Sequence, residues 1–259
     1  MSYRPTLLIL SNVAAFTLMV VVNGLAGSTT LIGGQMTADV SDANRTLITP
    51  AGYVFAIWGI IHFLLAVFVI HQMLPSQQAK AFQKQIGWLF VLSSILNMIW
   101  LFAWQYEQLP LSVLIMLLLL GSLIAIYLRL DIGRAKAGIA EKLAVHVPFS
   151  TYLGWITIAT IANVASTLVS IDWDGFGIAP ETWATIIIVI ALAIAVLVVV
   201  TRTDIAYSLV IIWAFIGIAA EQGSHQNMVL ITWASAAVVA AAVVASVVYT
   251  VIRGTRTLS

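Results

Sequence analysis

Eight apolar runs punctuate the chain, near residues 7–27, 50–73, 86–105, 111–129, 144–170, 182–201, 205–220 and 228–252, each bounded by charged or turn-forming residues. An α-helix needs ~20 predominantly apolar residues to cross a bilayer, so the pattern predicts eight transmembrane helices. The seventh run is short for ~30 Å of hydrocarbon but fits a thin or well-packed region. The first run is longer than a signal-peptide core. Gly24-Leu25-Ala26-Gly27 matches a small-residue cleavage site only loosely, so this run is expected to stay as the first helix. The longest polar stretch is residues 28–49, rich in Gly, Ser, Thr and Asp, between the first two helices.

The charged residues then orient the spans, because cytoplasmic loops collect Lys and Arg. With eight helices, Arg4, Lys80, Lys84, Arg129, Arg134, Lys136, Lys142, Arg202, Arg253 and Arg256 share one side, and only Arg45 falls on the other. Removing the seventh helix would carry Arg253 and Arg256 to the wrong side. Both termini are therefore expected on the cytoplasmic face, with the cell (inner) membrane as the location. Composition agrees: 62% of residues are apolar and 8% charged, with a mean hydropathy of +1.07. A water-soluble domain of 259 residues could not cover itself with so little polar surface. The formal charge of +1 conceals this sorting and gives no reason to expect a nucleic-acid partner. With no cysteine, disulfides, thiolate metal sites and nucleophilic cysteine chemistry are excluded.

Inside the spans no Asp, Glu, Lys or Arg lies away from the helix ends. A retinal protein needs a buried lysine and a proton pump usually shows intramembrane carboxylates, so both classes are excluded. What the spans do carry is aromatic and amide residues at helical spacing. Phe55, Trp58 and His62 share one face of the second helix; Ser93, Asn97, Trp100 and Trp104 do so in the third; and Tyr152, Trp155, Ala159, Asn163 and Ser166 in the fifth. Counted from the outer ends at ~1.5 Å per residue, Trp58 and Asn97 lie ~12 Å deep, Asn163 ~10 Å and Trp100 ~8 Å. Facing one another, the stripes would line an outer-leaflet cavity beneath the 28–49 connection, aromatic with a few amides to orient a ligand.

Packing stands beside ligand contact as a reading of the same residues. Trp58, Trp100 and Trp155 are divided between the two, and Asn97 and Asn163 also suit interhelical hydrogen bonding. His62 reads as a satisfied core histidine ahead of a haem or metal ligand. Trp88, Trp104, Trp173 and Trp183, near helix ends, read as interfacial belt residues. No Ser-His-Asp grouping, metal cluster or paired carboxylate appears within the spans, so no catalytic residues, metal site or enzyme activity are predicted. The alanine-rich run 234–245 implies close helix packing, inside the protomer or in a homo-oligomer.

Three blocks carry a family resemblance. Pro50-Ala51-Gly52-Tyr53-Val54-Phe55-Ala56-Ile57-Trp58, Leu96-Asn97-Met98-Ile99-Trp100, and Tyr152-Leu153-Gly154-Trp155 followed by Ala159-Thr160-Ile161-Ala162-Asn163 resemble, in order and helix placement, the TspO/MBR family of tryptophan-rich sensory proteins related to the translocator protein. The likeness covers about residues 7–170. It departs where the paired prolines are Pro50-Ala51 and where a proline moves to Pro148. The resemblance implies an all-α polytopic membrane protein: a TspO-like five-helix bundle over 1–170, with three additional helices over 171–259. It also implies a ligand pocket including Tyr53, Phe55, Trp58, His62, Asn97, Trp100, Tyr152, Trp155, Ala159 and Asn163. The ligand expected there is a hydrophobic small molecule, a porphyrin, haem or sterol-like compound, with no cofactor required. Receptor or sensor function leads. Transport across the bilayer is the alternative, disfavoured by inner helix halves that read as plain Leu, Ile and Val.

Overall fold

The computed structural model describes residues 5–256, and no strand occurs among them. The chain begins with α1 (Pro5–Ser28), and the connection after it contains a short α2 (Thr37–Ala43). The second apolar run does not turn helical at Pro50. Pro50 and Gly52 instead lead into a 3-10 turn (Gly52–Ala56), which continues directly as α3 (Ile57–Met73). Pro75 follows its end, and α4 (Ala81–Ile86) lies in the next connection. Gly87, at φ 51°, breaks the chain between α4 and α5 (Leu89–Gln105), so the third span starts three residues later than the apolar pattern suggests.

Next come α6 (Leu109–Arg129) and α7 (Ile139–Glu141), which runs through a π turn at Lys142–His146 into α8 (Val147–Ser170). The last three helices are α9 (Pro180–Arg202), α10 (Ile205–Glu221) and α11 (Gln226–Arg256). Pro110 and Pro180 sit in the first turn of their helices, where a missing N–H breaks no bond, whereas Pro148 lies inside the continuous stretch Ile139–Ser170, just after its π turn. Thr203 in the left-handed conformation ends α9. The carboxylate of Asp204 then starts α10 by accepting the Tyr207 N–H at 3.1 Å.

Six helical stretches are long and apolar enough to cross a membrane, and two more apolar helices, α5 and α10, have 17 residues each. At ~1.5 Å per residue these two are about 25 Å long, at the lower end of what a crossing requires. The eight together make the chain an all-α integral membrane protein. Large apolar side chains point outward along the helices, among them Phe63, Leu197, Val200 and Leu230. That is the arrangement expected where lipid replaces water as solvent. Arg4, counted in the orientation argument, lies outside the described residues.

Two compact units emerge. The first holds the chain up to Thr46 together with Phe55–Asp172; the second holds Leu47–Val54 with the chain from Trp173 onward. In the first unit α1 packs on α5, α5 on α6, α6 on α8, α8 on α3 and α3 back on α1, closing a five-helix ring. In the second, α9, α10 and α11 pack pairwise, and the strap Leu47–Val54 lies against α10 through a hydrogen bond from Ala51 N–H to the Gly217 carbonyl, 3.0 Å.

Candidate functional site

The three aromatic stripes meet inside the five-helix ring, with Trp58 at their centre. Its indole stacks on the His62 ring at 5.7 Å and on Trp100 at 6.4 Å, and meets Tyr152 at 6.2 Å and Trp155 at 6.1 Å edge-on. Phe55 reaches Trp155 at 5.9 Å, and Trp100 stacks on Trp104 at 5.8 Å. These are contact distances for aromatic rings. They follow from the sequence spacing, because i, i+3, i+4 and i+7 positions present one face of each helix to the ring interior.

The polar groups around this cluster divide into two sets. One set is saturated. Asn163 Oδ1 accepts Trp100 Nε1–H at 3.0 Å, and Asn163 Nδ2 donates to Ser112 Oγ at 2.8 Å, tying α5, α6 and α8 together. Asn97 Oδ1 likewise accepts from Asn23 Nδ2 at 2.7 Å, fixing α1 to α5. The other set is unspent. His62 Nε2, Asn97 Nδ2, the Tyr152 hydroxyl and Trp155 Nε1 are buried and make no hydrogen bond within the protein. The Tyr152 hydroxyl and the Asn97 side chain are neighbours, but no bond of acceptable geometry joins them. Tyr152 and Asn97 are both fully shielded, and Trp155 is 2% exposed.

Native structures pair the great majority of buried polar atoms, so the four at the aromatic cluster require an explanation, and Asn12 Oδ1, His71 Nε2, Gln72 Nε2 and Gln105 Oε1 share that condition elsewhere among the described residues. Each donor or acceptor left without a partner costs about 1–3 kcal/mol relative to a satisfied one. His62 therefore departs from the expectation of a satisfied core histidine, because its Nε2 finds no partner. Ala159 is half-buried, on the same face of α8 as Trp155 and Asn163. Tyr53 is not brought to the cluster. It is half exposed and belongs to the second unit, where its ring meets Trp213 edge-on at 5.4 Å.

Sequence reasoning missed several contributors. Trp104 is not a belt residue: it is buried, and its Nε1–H donates to the Thr37 carbonyl at 3.1 Å. Asn23 and Ser112 complete the two amide networks. Gln105 Nε2, fully buried, donates to the carbonyls of Ala26 and Gln35 at 2.8 and 2.9 Å, and Gln35 Nε2 donates back to Gln105 O at 3.0 Å. The connection 29–46 is thus pinned over the ends of α1 and α5. Gly33, at φ 68°, comes so close to the Gln105 carbonyl that a Cβ there would collide with it. A lone amide in an otherwise apolar helix is the signal that could have found these residues, since intramembrane polar groups face the bundle interior.

Below the cluster, Phe68, Phe90 and Phe149 form a buried triad with ring centroids 5.0–5.9 Å apart. Beyond it the bundle is not plain hydrocarbon: Asn12 Nδ2 donates to Gln72 Oε1 at 2.8 Å, and Gln83 Nε2 donates to the Gln72 carbonyl at 3.0 Å. The amides there hold α1, α3 and α4 together.

The family model described as TSPO-like protein matches residues 8–249. The chain belongs to the TSPO-like protein family. The match runs past residue 170 through most of α11, so α9 to α11 fall within the family's pattern and are not foreign to it. No curated protein and no solved structure matches the chain.

Proposed function

We propose that this TSPO-like protein is a membrane receptor or sensor that binds a flat hydrophobic molecule, a porphyrin or haem before a sterol-like one, among Trp58, Trp100, Tyr152 and Trp155. The observation that carries the reading is the coincidence of indole faces with unspent polar groups. Trp155 Nε1 and Asn97 Nδ2 are donors, and Tyr152 can donate or accept. A tetrapyrrole offers a broad π face to the indoles and carboxylate edges to the donors. With haem, His62 Nε2, which makes no hydrogen bond in the protein, would be the atom to meet iron. Because the rings lie in contact with one another, the ligand enters by parting them, with Phe55 in the 3-10 turn and Trp58 and His62 on α3 moving. The connection 29–46 covers this end of the bundle, which the Lys and Arg distribution assigns to the non-cytoplasmic face.

Binding is favoured over transport by the phenylalanine triad. Phe68, Phe90 and Phe149 interpose an apolar layer between the cluster and the amides of Gln72 and Gln83. A polar ligand edge would have to cross that layer unpaired. The direct test is an absorbance titration of protoporphyrin IX with the detergent-solubilised full chain. A saturable shift of the porphyrin band at one equivalent supports the site, and a linear, unsaturable response refutes the tetrapyrrole reading. In proteoliposomes, labelled porphyrin should bind without crossing; flux above empty vesicles would move the function to transport.

A further inference from the structure

The role of the last three helices is not contained in the ligand reading. Their unit includes a piece of chain far away in sequence, the strap Leu47–Val54. Three hydrogen bonds hold its backbone: Ala51 N–H to Gly217 O at 3.0 Å, Trp213 Nε1–H to Val54 O at 3.1 Å, and Gln222 Nε2–H to Thr49 O at 3.4 Å. The side chains interlock too. Val54 is completely buried, Tyr53 packs on Trp213, and Gly217 leaves no room for a Cβ, which would collide with Val54 Cγ2 and approach Pro50 Cβ to 3.4 Å.

The strap has no slack at its other end. Val54, whose carbonyl Trp213 holds, lies within the 3-10 turn Gly52–Ala56, and that turn passes into α3 at Ile57 without an intervening coil residue. The residue after Val54 is Phe55, which touches Trp155, and the fourth after it is Trp58, the centre of the aromatic cluster. A displacement of the strap is therefore handed to the first turn of α3 through covalent geometry, the kind of contiguous physical connection that coupling requires.

We infer that strain placed on the strap by α10 is passed along the chain through the turn Gly52–Ala56 to the first turn of α3, with Trp213 and Gly217 as positioning residues, so that the C-terminal unit and the site are thermodynamically linked. The inference rests on the aromatic cluster being the binding site, and it gives the sensor reading an output: ligand that parts Phe55 and Trp58 from their neighbours pulls on the strap. Linkage is reciprocal, so a change at Gly217 must alter the site, and a change at the site must alter the strap.

The test uses the full chain labelled with 5-fluorotryptophan, whose nine tryptophans are assigned by single Trp→Phe substitutions. Gly217→Ala presses a Cβ on Val54, and Val54→Ala in the same chain readmits it. The inference predicts that Gly217→Ala shifts the fluorine resonances of Trp58 and Trp155 together with Trp213, and that the double variant returns them. Should Gly217→Ala lose its helical circular dichroism, Trp213→Phe perturbs the strap differently, by removing the N–H donor to the Val54 carbonyl and trimming the ring that meets Tyr53. Resonances of Trp58 and Trp155 that stay put in a folded variant overturn the inference. In parallel, protoporphyrin IX should bind Gly217→Ala about tenfold more weakly than wild type, within the range typical of coupled sites, and equal affinity also counts against it. Absence of saturable binding to the wild type refutes the ligand class alone, since the fluorine comparison decides the coupling without ligand.

Discussion

Replacing Tyr152 by Phe separates a group kept for packing from one kept for a ligand. The ring of Tyr152 is completely buried against Trp58, 6.2 Å between centroids, and phenylalanine reproduces that contact. Only the hydroxyl is lost, and the hydroxyl makes no hydrogen bond in the protein. Protein mutational data place the burial of an unpartnered hydroxyl at about 1–3 kcal/mol unfavourable. Tyr152→Phe should therefore stabilise the chain by about that amount, with the sign opposite to most core substitutions. The unfolding midpoint of purified protein in a sodium dodecyl sulfate titration, followed by circular dichroism, measures it. The same variant should bind protoporphyrin IX about fivefold more weakly, because one neutral hydrogen bond to the ligand contributes ~1 kcal/mol. A gain in stability with a loss of affinity is the signature of a site held at the expense of the fold. A variant less stable than wild type by about 1 kcal/mol or more would show that the hydroxyl has a partner inside the protein and is not held for a ligand.

Two further substitutions test the scaffold around the site. Asn163→Leu strips Trp100 Nε1 of its acceptor inside the bundle, and should destabilise by about 1–3 kcal/mol. Combining it with Trp100→Phe should recover part of that loss, and strict additivity in the double-mutant cycle would deny the bond. Gln105→Leu removes the donor to the Ala26 and Gln35 carbonyls; amide hydrogen exchange over residues 29–46 should accelerate about tenfold, equivalent to ~1.4 kcal/mol of lost anchoring, while unchanged exchange would mean that the connection is held by other contacts.

The eight apolar runs were legible because hydrocarbon tolerates few alternatives to a long apolar helix, and the structure has helices at those places, six of them long and apolar enough to cross a membrane and α5 and α10 shorter. The site was legible where chemistry repeats along one helix: Phe55, Trp58 and His62, or Asn97 and Trp100, share a face by spacing alone. What spacing cannot supply is the partner on another helix. Asn163 and Asn97 looked equivalent, yet Ser112 saturates the first while the second keeps a free N–H. Trp104 resembled a belt residue because it is near a helix end, and only the folded-back connection, through Thr37, makes that end interior. Tyr53 lies two residues before Phe55, but the strap assigns it to a different unit; no local pattern marks Val54 as the boundary, because the cause is the bare surface of Gly217, more than 160 residues away.

Ligand binding at the aromatic cluster is tested most directly by quenching of tryptophan fluorescence by protoporphyrin IX in the wild-type chain beside a variant with Trp58, Trp100 and Trp155 all changed to Phe. The account predicts saturable quenching in the wild type, and in the variant, shown to be folded by circular dichroism, loss of saturable binding as read from the porphyrin absorbance. Equal saturable binding by the two proteins would place the ligand elsewhere and return the aromatic cluster to a packing role.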